Sequence, residues 1–216
     1  NLMPINDLDK YFILHKTDKA STDHNYSVPY FMFFNSVRNS PIKLLEFGIY
    51  KGASVKAWKD FFPSATIVGV DIDAQCRQYE EERIHVEIGD MTNGLFLNDL
   101  HQKYGGFDII IDDAAHFWRH QIEAFHFMFP LLNPGGFYSI EDLHTSYLFG
   151  SVYDTGRPTT VEVLNDVINQ LHLNGKSSNG VKEIGNKPLT YYENWLEYMF
   201  LFKGICIMKK RNSPLR

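Results

Sequence analysis

Five short apolar runs constrain this chain more than any other feature: KLLEFG (43–48), ATIVGVD (65–71), IHVEIGD (84–90), FDIIIDD (107–113) and GFYSIED (136–142). Runs this continuous lack the apolar–polar alternation of a strand with one wet face, so both faces must be covered, as in a parallel sheet flanked by helices. The stretches between them have helical length, notably SVKAWKDFF (54–62) and the amphipathic HQIEAFHFMFPLL (120–132), the second stopped by Asn133, Pro134 and Gly135. The spacing predicts a doubly wound α/β fold. Past residue 145 the rhythm lapses: a polar stretch, NGKSSNG (174–180), precedes EYMFLFKG and ICIMKKR, which read as a hairpin turning at Lys203 and Gly204.

A chain of 216 residues suits one domain. Residues 1–40, polar over HKTDKASTDHNYSVPYF (15–31), form a helical or lid segment ahead of a ligand-binding domain at 41–216. The formal net charge of -5 gives no basic footprint for nucleic acid. Two cysteines, Cys76 and Cys206, make neither a disulfide framework nor a metal knuckle. No apolar run reaches the roughly 18–20 residues a membrane span needs, and signal-peptide features are lacking, so a cytoplasmic protein is expected. Oligomeric state is open, a homo-oligomer included.

In an open α/β sheet, ligands bind beyond the carboxyl ends of the strands. The first end reads Glu46-Phe47-Gly48-Ile49-Tyr50-Lys51-Gly52, followed by Ser54: a tight turn whose backbone can approach a ligand closely. It has too few glycines for a dinucleotide loop, which counts against a nicotinamide-dependent dehydrogenase. Glu46 would repel a pyrophosphate and suits a cationic group such as an amine. Asp71 ends the second run 23 residues after Gly48, about the offset at which an acid meets ribose hydroxyls. Asp90, beside Met91, ends the third, where an adenine amino group could bind. This order resembles the class I S-adenosylmethionine-dependent methyltransferases. The resemblance implies a mostly parallel seven-stranded sheet with an antiparallel last strand, and a cofactor held by Glu46, Gly48, Tyr50, Gly52, Ser54, Asp71, Asp90 and Asp112.

The fourth and fifth ends carry more acid than such a cofactor needs: Asp112 and Asp113, then Glu141 and Asp142. Four carboxylates at neighbouring tips would repel one another, so something positive is expected among them. A divalent cation is economical, and oxygen ligands favour Mg²⁺. His116, three residues after Asp113, is placed on the opening turn of a helix as a general base, with His144 as rival. His120, His126, Phe125, Phe127 and Phe129 read as packing or surface residues.

The pattern D113-x-x-H116 with E141-D142 resembles the metal-dependent sugar O-methyltransferases of macrolide biosynthesis and the cephalosporin-hydroxylase-like rhamnosyl methyltransferases. That resemblance implies Mg²⁺ held by Asp113, Glu141 and Asp142, and metal-dependent transfer of a methyl group to a hydroxyl of a sugar or glycosylated small molecule. A noncatalytic S-adenosylmethionine-binding protein is the alternative from another class. Tyr147, Tyr153, Tyr191 and Trp195 are candidates to stack on a sugar face or to fill the core.

Overall fold

The computed structural model describes residues 3–172 and 189–215. The stretch 174–180 lies outside the described residues. Seven strands form one sheet in the order β3-β2-β1-β4-β5-β7-β6: β1 (Lys43–Phe47), β2 (Thr66–Asp71), β3 (Ile84–Ile88), β4 (Phe107–Asp112), β5 (Leu132–Ile140), β6 (Leu196–Phe202) and β7 (Ile205–Lys210). The first five pair in parallel, and β7 runs antiparallel between β5 and β6. The order reverses between β1 and β4, which opens a crevice beyond their carboxyl ends. The hairpin turns at Lys203 and Gly204, where Gly204 supplies a φ of 80°.

Helices cover both faces, and strand alternation decides which side chains meet which layer. One face carries Leu44, Ile67, Ile109, Ile111 and Phe137, packed against Val55, Trp58 and Phe61 of α3 (Ala53–Phe61). The N-terminal segment joins that same cluster: α1 (Asp7–His15) contributes Leu8 and Phe12, and α2 (Ser27–Phe34) contributes Tyr30 and Phe34. Phe12 and Tyr30 both pack edge-on against Trp58, with centroids 4.9 and 5.2 Å away. Residues 7–34 are thus a covering layer of the sheet. The opposite face carries Leu45, Phe47, Val68, Ile110, Tyr138 and Ile140 against α4 (Gly94–Tyr104), α5 (Trp118–Leu131) and α6 (Thr160–His172). A short helix, α7 (Tyr191–Trp195), leads into β6.

Two boundaries differ from the sequence expectation. Helix α5 spans Trp118–Leu131, so His116 precedes it in a loop, at φ 57°, instead of riding its first turn. Asn133, Pro134 and Gly135 stop that helix, as the pattern predicts, but they already belong to β5. A register shift between Phe107 and Ile109 absorbs them, and a side chain at Gly136 would sit 2.8 Å from the Asp108 carbonyl. No helix among the described residues is long and apolar enough to cross a membrane, and Cys76 and Cys206 are both buried free thiols.

Candidate active site

A cavity of about 840 Å³ opens over the carboxyl ends of β1, β2, β3 and β4. Its first half is built largely by backbone. Gly48 (φ 83°) and Gly52 (φ 72°) turn the chain from β1 into α3, and each position excludes a side chain: a Cβ at Gly48 would fall 2.3 Å from the Asp113 carbonyl oxygen, and one at Gly52 would fall 2.6 Å from the Tyr79 ring. Asp71 braces the turn from the neighbouring strand, its Oδ2 accepting from the amides of Ile49 and Tyr50, both at 3.0 Å. Asp90 accepts from the amide and hydroxyl of Thr92, which hold its carboxyl below the usual range. Gly48, Tyr50, Ser54, Asp71 and Asp90 all line the cavity.

The second half is built by side chains. Glu46, Asp113 and Glu141 fall on the α1–α3 face of the sheet, since each continues the alternation that places Leu44, Ile111 and Phe137 there. Between them sits the ammonium of Lys19, which is 0% exposed. It donates to Asp113 Oδ2 and to Glu141 Oε2, the latter at 2.8 Å, and lies 3.7 Å from Glu46 Oε1. Burial opposes the charge on Lys19, but the three carboxylates outweigh it and hold its pKa well above the ordinary value. Burial, followed by the charge on Asp113, pushes Glu141 well up, and burial raises Asp113 against the pull of Lys19. The positive charge demanded by the acid cluster is therefore supplied in part by the chain itself. Sequence reasoning missed this residue, although it lies in the polar stretch ahead of β1.

The N-terminal segment grips the other oxygens as well. Tyr30 donates to Glu141 Oε1 at 2.5 Å, and Tyr26 donates to Asp142 Oδ1 at 2.8 Å. With one oxygen of each held from behind, Asp113 and Asp142 approach His116 with the other: its Nε2 lies 4.0 Å from Asp113 Oδ1 and 3.3 Å from Asp142 Oδ2. Ligand atoms of Asp113, His116 and Asp142 lie within 4.8 Å of one another, and all three residues line the cavity. His116 Nδ1 is buried without a hydrogen-bond partner.

Other expected site residues lie elsewhere. Glu46 does not line the cavity: it is 0% exposed, accepts from Ser54 at 2.7 Å and from the Trp58 indole at 3.4 Å, and burial lifts its pKa to about 7 against the pull of Lys19. Asp112 cannot share a face with Asp113, because consecutive strand residues point oppositely. It is buried, and burial pushes its pKa up to about 7 against the pull of the Ala114 amide. Glu141 stands behind the cavity wall, both oxygens engaged. His144 is exposed, in the 3-10 turn Leu143–Tyr147, and does not line the cavity, whereas His120 does. His126 bonds the Tyr192 hydroxyl at 2.5 Å; Phe125 and Phe129 are core, and Phe127 is 37% exposed. Tyr153 lies near His116 and Phe117, with centroids 6.4 and 6.3 Å away; Trp195 packs on the core, and Tyr147 and Tyr191 are exposed.

No protein-family model matches the chain. It is 35% identical over 167 residues to an 8-demethyl-8-alpha-L-rhamnosyl tetracenomycin-C 2'-O-methyltransferase of Streptomyces olivaceus, a match covering 73% of this chain and 44% of that protein. It is 36% identical over 148 residues to the mycinamicin VI 2''-O-methyltransferase of Micromonospora griseorubida, covering 65% of this chain and 37% of the relative. The chain thus spans less than half the length of these curated relatives. Among solved structures, the MycE methyltransferase of the mycinamycin biosynthetic pathway, in complex with Mg and SAH, superposes with a TM-score of 0.82 at 30% identity, over 95% of this chain and 55% of that one. An O-methyltransferase from Streptomyces achromogenes involved in tomaymycin synthesis, TM-score 0.54 and 16% identity, shares the fold. The chain is therefore a class I methyltransferase-fold domain, homologous to the rhamnosyl and mycinamicin O-methyltransferases.

Proposed function

We propose that this domain performs Mg²⁺-dependent O-methylation, moving a methyl group from S-adenosylmethionine to a hydroxyl of a sugar or glycosylated small molecule. One observation carries the reading: the glycine turn after β1, with Asp71 and Asp90, and the Asp113–His116–Asp142 cluster line the same cavity. The names of its relatives supply the chemistry, since they are O-methyltransferases of rhamnosyl and mycinamicin compounds, and one solved relative holds Mg, SAH and mycinamycin VI together.

The residues present fit both groups. One carboxylate oxygen each from Asp113 and Asp142 converge beside the His116 imidazole as an oxygen-ligated cation site requires, and Gly48 and Gly52 leave backbone where a ligand can approach closely. When bound, S-adenosylmethionine supplies an activated methyl on a sulfonium, and Mg²⁺ supplies a Lewis acid that lowers the pKa of an acceptor hydroxyl. The turn 48–52 and Asp71 would hold the methionine and ribose parts, with Asp90 and Met91 beside the base. Asp113 and Asp142 would hold the ion, oriented from behind by Lys19 and Tyr26 respectively. His116 takes the hydroxyl proton on Nε2, and Asp142 stabilises the imidazolium that results. Phe117, His120 and Tyr153 flank the acceptor side.

The test is transfer of radiolabelled methyl from S-adenosylmethionine to a panel of rhamnosides and macrolide glycosides, with and without chelator. Label in a sugar ether, lost on chelation and lowered about 10²–10⁴-fold by His116→Ala, is the expected result. Full transfer in chelator, or calorimetry in which the chain takes NADH in preference to S-adenosylhomocysteine, would overturn the proposal.

A further inference from the structure

The acidic half contains a resident cation, and its placement bears on how the domain handles a divalent ion. Lys19 is 0% exposed and touches Asp113 and Glu141, two of the acids at the tips of β4 and β5. It arrives from 94 and 122 residues away in the chain, anchored on both sides. The Lys19 amide bonds Thr17 Oγ1 at 3.3 Å, and the Lys19 carbonyl accepts from the amide of Ser27, the first residue of α2, at 3.1 Å.

An ammonium fixed against Asp113 does two things. It neutralises acids that would otherwise repel one another in a buried site, and it reduces the negative potential felt by any second cation bound at the cavity side of the same carboxylate. Asp113 displays this geometry directly, with Oδ2 on Lys19 and Oδ1 directed toward His116 and Asp142.

We infer that Lys19 is a positioning residue acting as the site's built-in counter-ion: it keeps the acid cluster folded without a divalent ion and limits how tightly one binds. The inference rests on the metal reading above. Its consequence is a domain whose fold is indifferent to chelation and whose ion is exchangeable instead of structural. In the opposite design, where metal alone offsets the acids, folding would depend on metal.

Mn²⁺ binding to wild type and Lys19→Met, followed by calorimetry, together with thermal unfolding in chelator and in Mn²⁺, tests this. The wild type should bind Mn²⁺ and melt within a few degrees of its metal-bound value when chelated. Lys19→Met should bind Mn²⁺ at least about ten-fold more tightly, the acids having lost their other cation, and its melting temperature should become strongly metal-dependent. A Lys19→Met chain that folds only with Mn²⁺ present is the extreme of that result. If Lys19→Met fails to fold in either condition, Lys19→Met/Glu46→Gln removes one charge of each sign and should still bind Mn²⁺ more tightly than wild type. Unchanged or weaker binding in the folded variant overturns the inference and leaves the metal reading standing. No Mn²⁺ binding by the wild type overturns both.

Discussion

The two halves of the cavity are built by different means. Around β1, β2 and β3 the shaping groups are near in sequence and largely main-chain: two left-handed glycines, and an aspartate bonding two amides 21 and 22 residues away. Around β4 and β5 the shaping groups are side chains from the N-terminal segment, reaching Asp113, Glu141 and Asp142 across 94 to 122 residues. The first half is fixed by what the local backbone can do, and the second by whether a distant segment has docked. Damage should therefore look different in the two.

The largest effect is expected where the halves touch. In Gly48→Ala the new Cβ collides with backbone of Asp113 at a φ of 83°, so the substitution should cost about 3–5 kcal/mol in urea unfolding and abolish S-adenosylhomocysteine binding. Retained binding with normal stability would show that the tips are not rigidly apposed. Asp71→Asn should separate the halves: S-adenosylhomocysteine affinity falls about 10–100-fold while Mn²⁺ affinity stays within about two-fold. A parallel loss of both would break the distinction. Tyr30→Phe strikes the other half, leaving Glu141 Oε1 buried without its donor; a stability loss of about 1–2 kcal/mol is expected, with nucleoside binding intact.

The smallest effect lies at the opposite end of the sheet. Lys210 is buried, donating to the carbonyls of Pro130 and Leu132 at 2.8 and 2.7 Å, and burial pushes its pKa down to about 8. A folded pKa below the unfolded one means that the unfolded chain binds more protons across that interval, so stability should rise as pH climbs from about 8 toward the ordinary 10.5. Lys210→Met should flatten this rise, read from denaturant midpoints, without altering ligand binding.

The legible parts of this molecule were those governed by short spacing. The five apolar runs are five strands, the hairpin turns at Lys203 and Gly204, and Gly48, Asp71 and Asp90 line one cavity, since each sits at a strand end that topology alone brings together. The acid excess at β4 and β5 signalled a missing positive charge, but not that Lys19 would bring one, because nothing local links residue 19 to residues 113 and 141. The face of each acid was readable in principle: strict alternation sends Asp112 and Asp113 to opposite sides, and it places Glu46 beneath Lys19. His116 was identified as a residue, but its left-handed backbone was invisible, since histidine carries no signature for φ 57° as glycine does.

Gly48 has a consequence beyond its own turn. Its α-carbon faces the peptide joining Asp113 to Ala114 so closely that no methyl group fits between them. In the proposed arrangement the wall behind a bound nucleoside and the wall behind a bound ion would be one partition, a single peptide layer thick. A ligand that shifts either surface must move the other, so loading one compartment should change the grip of its neighbour without any hinge or lid.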